Sequence, residues 1–149
     1  MKRKFRDILS REIAIEYKAC LYFCCILAFY FLWLVCRGIY EAHILYMFEM
    51  VMTAYAAGYL QVYALRNFDE AEQIGRREVF SALLCTCLYA AASYGMGWFG
   101  KTPWLTAAFG GYIFFCYFCV YLCNKVKRRI DTEKLNDLLA MYKKGEPHE

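Results

Sequence analysis

The sequence predicts an all-α integral membrane protein: a four-helix bundle with a cytoplasmic C-terminal amphipathic helix. Three observations predict it. Four apolar stretches occupy about residues 19–36, 42–65, 79–99 and 103–123, each near the roughly 20 residues a helix needs to cross hydrocarbon. The stretches are continuous rather than alternating, which fits helices and not barrel strands, because lipid offers no partner to an exposed backbone. The lysines and arginines fall almost entirely on one set of joints, as short cytoplasmic flanks require.

The amino segment carries Lys2, Arg3, Lys4, Arg6, Arg11 and Lys18 ahead of the first apolar run. A charged amphipathic stretch with Phe5, Ile8, Leu9 and Ile13 separates the basic start from that run, and no small-x-small cleavage pattern ends it. It therefore reads as a retained first helix. The first span, 19–36, closes at Arg37; with Lys101 this is the only Lys or Arg expected on the outer side. Both termini are thus expected in the cytoplasm.

The second span, 42–65, holds an acid about two turns from its outer end. A charge at that depth costs roughly 2.5 to 3.5 kcal/mol on insertion scales, so Glu49 needs a partner. Arg37 is the natural counter-ion, with His43 and Lys101 as lesser candidates. Leu45, Tyr46, Met52, Thr53 and Ala56, continuing to Tyr59 and Tyr63, share the face of Glu49 and make a partly polar stripe expected to turn toward the bundle. Glu49, Arg37 and Thr53 form the intramembrane polar site. It is either a proton- or cation-binding site or an ion pair pinning two outer helix ends.

The joint that follows brings Arg66, Arg76 and Arg77 to the inner side. Within it Asp69 is a good N-cap, and Glu72 three residues later completes a capping box, so the third helix is expected to start in water and enter the membrane near Val79. Trp98 and Trp104, with Tyr40 and Tyr46, fall near the outer boundary of the spans and fit an interfacial aromatic belt.

The fourth span, 103–123, runs into a basic collar, Lys125, Lys127, Arg128 and Arg129. Residues 124–149 then form the cytoplasmic tail, set apart from the 1–123 bundle. Leu135, Leu138, Leu139 and Tyr142 fall on one side of a helix at spacings of three and four, and Gly145 and Pro147 end it. Such a stripe must meet the headgroup layer, the amino segment or another protein. If the third holds, the stripe with Arg128 and Arg129 is the expected partner-binding surface.

Nine cysteines need a reading by depth. Eight lie in the inner half of the spans, where reducing conditions make a disulfide framework unlikely. Cys116, Cys119 and Cys123 share a helical face near the level of Cys85, but no histidine is near, and small polarizable packing residues explain them without a metal. No metal, cofactor or catalytic residue is expected. The glycine loop of a phosphate site, a Ser/His/Asp set and paired acids are all missing from the sequence, so it does not read as an enzyme. Its basic groups adjoin lipid without interleaved aromatic residues, so direct nucleic-acid binding is not expected either.

Small-xxx-small pairs mark close helix approach: Ala54 with Gly58, Ala91 with Gly95, Ser93 with Gly97, and Ala107 with Gly111. They are seams either within one chain or between copies, which leaves a homo-oligomer open.

Leu60-Gln61-Val62-Tyr63, Asn67-Phe68-Asp69-Glu70, Leu88-Tyr89, and a tail passing through Tyr121, Asn124, Leu135-Asn136 and Tyr142-Lys143-Lys144 resemble a family of small bacterial four-span proteins encoded beside LytTR-domain transcription regulators. The resemblance extends over nearly the whole chain and supplies no catalytic residues. It implies a membrane-bound antagonist that binds a cytoplasmic LytTR-type regulator and restrains it. The alternative is a small proton- or cation-coupled transporter, or a subunit of one, using Glu49. Small multidrug exporters also have four spans and an essential acid, but carry that acid in the first span, where this chain has none.

Overall fold

The computed structural model describes residues 2–65, 67–71 and 75–145, and every regular element in it is helical. Helix α1 covers Lys2–Cys36, α2 Ile44–Tyr59, α3 Arg76–Met96 and α4 Pro103–Gly145. A five-residue π turn, Leu60–Ala64, prolongs α2 without a break, and a short 3-10 turn, Phe68–Glu70, follows. α1, α3 and α4 are long and apolar enough to cross a membrane. α2 is a 16-residue helix, about 24 Å at 1.5 Å per residue, and the π turn supplies the rest of its run.

Helix boundaries follow local chemistry. Pro103 opens α4, where its missing N–H costs nothing. α3 ends at Gly97, whose φ of +76° reverses the chain. The amides of Gly97 and Trp98 both donate to the carbonyl of Ser93, at 3.1 Å each, satisfying the helix end. That reversal turns Trp98 and Phe99 inward, where both are buried. The interfacial position expected for Trp98 is thus corrected, whereas Trp104 and Tyr40 are 82% and 87% exposed.

The helices close a ring in which α1 packs on α2, α2 on α3, α3 on α4 and α4 on α1. The end that carries both termini is called the terminal end here, and the other the loop end. The α1–α2 seam closes on small residues: Ala54, Ala57 and Gly58 are buried, and a Cβ on Gly58 would stand 3.5 Å from Ile15. On the other side Gly110 faces Ala90 and Thr86 of α3. Ala54 with Gly58 is therefore an internal seam, while Ala91, Gly95, Ala107 and Gly111 face outward.

The core is built from aromatic rings. Tyr22 of α1 lies 4.4 Å from Tyr117 of α4 between ring centroids. Phe29 touches Phe99, Phe109 and Tyr112 at 5.2 to 5.4 Å. Rings at these separations add about 0.5 to 1.5 kcal/mol per pair beyond burial.

Candidate functional site

The terminal end is where distant parts of the chain converge. Lys18 lies on the inward face of α1 with Ile15, Ala19 and Tyr22, and all four are buried. Its ammonium donates to both carboxylate oxygens of Asp69 at 2.5 Å, with side-chain exposures of 3% and 1%. A charge removed from water this completely survives only when paired. The sequence reading of Asp69 as the cap of the third helix is corrected by this pair, and Lys18, read among the basic residues ahead of the first apolar run, is its buried partner. α3 instead starts after Gly75, whose amide donates to the Glu78 carboxylate at 2.9 Å. Glu72, expected to complete the capping box, lies outside the described residues.

The segment around Asp69 is held from two further directions. The side-chain amide of Asn124 donates to the Asp69 carbonyl at 3.1 Å, and the Arg128 guanidinium donates to the Ala71 carbonyl at 2.7 Å. Phe68 packs on Tyr117 with centroids 5.1 Å apart. Asn67 takes the left-handed conformation, φ 51°, which asparagine tolerates better than most residues, and its amide donates to the Gln61 carbonyl at 3.1 Å. Gln61 belongs to the π turn and is fully buried, with both ends of its side-chain amide unpartnered. π turns of this kind often mark functional positions.

These contacts bring together the segments around Gln61, Asn67 to Asp69 and Asn124, while Leu135-Asn136 and Tyr142 stand farther along α4. Gln61, Phe68, Asp69 and Asn124 meet at one junction, and Tyr89 lies next to it, 6.4 Å from Tyr22. The junction joins α1, the α2–α3 connection and α4. No local signal in the sequence ties Lys18 to Asp69 or Arg128 to Ala71, since each pair is separated by more than fifty positions.

Beyond Arg128 the same helix continues without a joint. α4 is 43 residues long, about 64 Å at 1.5 Å per residue, so residues 124–145 continue the helix of the fourth apolar stretch with no break at 123–124. Leu135, Leu138, Leu139 and Tyr142 are 58%, 59%, 51% and 68% exposed. Arg129, the other basic member of the expected docking surface, pairs along the helix with Glu133 at 3.3 Å. Nearby on α1, Glu12 accepts from the hydroxyls of Tyr59 and Tyr63, each at 3.2 Å. Pro147 lies outside the described residues.

At the loop end, Glu49 is half-buried and its carboxylate accepts from the indole N–H of Trp98 at 3.0 Å. Arg37 does not pair with it: the guanidinium sits 6.0 Å from the Trp33 ring centroid, and among the described residues no ion pair joins Arg37 to Glu49. His43 packs on Tyr46 instead. Trp98 wins because the chain reversal at Gly97 delivers a donor into the core, while Arg37 lies beyond the end of α1. The Thr53 hydroxyl donates to the Glu49 backbone carbonyl at 2.8 Å, not to its carboxylate. Of the expected polar stripe only Tyr46, Glu49 and Thr53 are turned inward; Leu45, Met52, Tyr59 and Tyr63 are exposed, because α2 commits its small residues to α1.

The nine cysteines are free thiols. Cys85 is buried beside Tyr89 and Tyr117, while Cys116 and Cys119 are half-buried and Cys123 is exposed. Among the described residues no three His, Cys, Asp or Glu side chains gather as a metal site.

The chain matches no protein-family model, no curated protein and no solved structure.

Proposed function

We propose that this protein is a membrane-embedded regulator that holds a cytoplasmic LytTR-type transcription regulator at the inner face, with the end of α4 as the docking helix. Three helices have the length and composition of membrane spans. The basic residues favour the cytoplasm for the terminal end. The observation that carries the reading is the apolar stripe Leu135, Leu138, Leu139 and Tyr142, which stands exposed on a helix running unbroken from the bundle. An amphipathic helix presented this way suits helix-in-groove recognition. The family resemblance supplies the identity of the partner, and the junction at Lys18 and Asp69 ties the docking helix to the bundle.

The test is co-purification in mild detergent with the neighbouring regulator, using the full chain, a Leu138→Asp variant and a deletion of Thr132 to Glu149. The full chain retains the regulator and both variants release it while still inserting in the membrane. Capture by the deletion variant removes the proposal. The alternative, a proton- or cation-coupled transporter using Glu49, has one supporting observation, a half-buried carboxylate in an apolar helix. Its bond to Trp98 suits a structural acceptor better, and transport that persists in Glu49→Gln proteoliposomes would end that reading.

A further inference from the structure

α3 and α4 do not close along their whole length. Near the terminal end they leave a cleft of about 280 Å³, floored by Ala82, Tyr117 and Tyr121, closed by Phe68, and rimmed by Val79 and Phe118. The floor is buried and the rims are exposed, so the cleft opens to whatever surrounds the bundle. Its lining is apolar except for Glu78, whose carboxylate is engaged in capping Gly75.

Each rim leads to a cation: Arg76 precedes Val79 by three positions, one turn, and Lys125 follows Phe118 by seven, two turns, so each lies on its rim's helix face nearer the terminal end. A second groove containing Arg76 shares Val79 with the cleft. Arg76 and Lys125 are exposed, and among the described residues neither is in an ion pair. An apolar slot at span depth with unpaired positive charge at its inner mouth has the charge pattern of one lipid class.

We propose that this cleft binds one acyl chain of an anionic phospholipid, with the phosphate at the level of Arg76 and Lys125. The site rests on the membrane reading and is independent of the docking partner. It also bears on the junction: an acyl chain in the slot lies against Phe68, the residue before Asp69, so occupancy supports the segment that Lys18, Asn124 and Arg128 hold.

The full-length chain is reconstituted in phosphatidylcholine nanodiscs with a trace of phosphatidylglycerol or phosphatidylcholine carrying a photoreactive diazirine in the acyl chain, and the labelled residues are mapped. Labelling by the phosphatidylglycerol probe concentrates on Val79, Ala82 and Phe118 and exceeds that by the phosphatidylcholine probe. Each cation at the headgroup favours the anionic lipid by about fivefold, so Arg76→Gln and Lys125→Gln each cut the preference by about that factor and Arg76→Lys preserves it. Ala82→Phe fills the slot and abolishes the concentrated labelling. Equal labelling by the two probes, or labels spread over all outward-facing residues, overturn the site. A chain that inserts but labels evenly removes the lipid site alone; one that stays out of the disc removes the membrane reading with it.

Discussion

The ammonium of Lys18 and the carboxylate of Asp69 are in contact at 2.5 Å across 51 positions of sequence, both shielded from solvent. The pair fixes the α2–α3 connection to α1, and the backbone carbonyls of that connection in turn hold Asn124 and Arg128 of α4. α1, α4 and the α2–α3 connection thus converge on one charge pair.

Removing Lys18 leaves the buried Asp69 carboxylate without its ammonium. Lys18→Met alone is expected to destabilise the protein by about 3 to 5 kcal/mol, and adding Asp69→Leu recovers much of that loss. Denaturant titration in detergent micelles measures both. A Lys18→Met variant within about 0.5 kcal/mol of the parent would show that the pair holds nothing.

Trp98→Phe leaves the half-buried Glu49 carboxylate without its indole donor and is expected to cost about 1 to 3 kcal/mol. Glu49→Gln keeps an acceptor oxygen and should cost less. The same titration checks this order; a reversed order would mean that the indole is not what satisfies the acid.

How much of this was legible in the sequence depends on the range of the signal. The end of α1 at Cys36 and the start of α4 at Pro103 coincide with edges of the first and fourth apolar stretches, because each is set within a turn of the residue concerned. So does the continuation of α4 into its tail. Trp98 was misplaced because a tryptophan at a span edge looks the same whether it faces headgroups or, after a glycine reversal, the core. Asp69 followed by an acid three positions later has the pattern of a cap, and its pairing with a lysine far away leaves no local trace. Arg37 was the nearest cation to Glu49 in level, yet a neutral donor reached the carboxylate from another helix.

Gly58 and Gly97 make opposite demands. At Gly58 an added Cβ meets Ile15 at ordinary contact distance, 3.5 Å. Gly58→Ala is therefore tolerated, and Gly58→Leu forces α1 from α2 at a cost of about 1 to 3 kcal/mol. Cross-linking of cysteines placed across the α1–α2 seam reports the separation. Unchanged cross-linking in Gly58→Leu would argue against the seam.

Gly97→Ala must hold a left-handed backbone, φ +76°, and is expected to lose about 1 to 2 kcal/mol. Gly95→Ala, two residues earlier, enters open space inside a helix and should gain up to about 1 kcal/mol. Thermal unfolding of the two variants side by side should move in opposite directions; a shared direction would place the reversal elsewhere.

α4 has no hinge between Pro103 and Gly145. A rod without a joint behaves as a lever: from Cys123 to its tip is about 33 Å, so a tilt of about 10° within the bundle sweeps the tip through about 6 Å. A modest rearrangement among packed rings is thereby converted into a displacement comparable to one helical turn at the far extremity, with Arg128 and Asn124 close to the pivot.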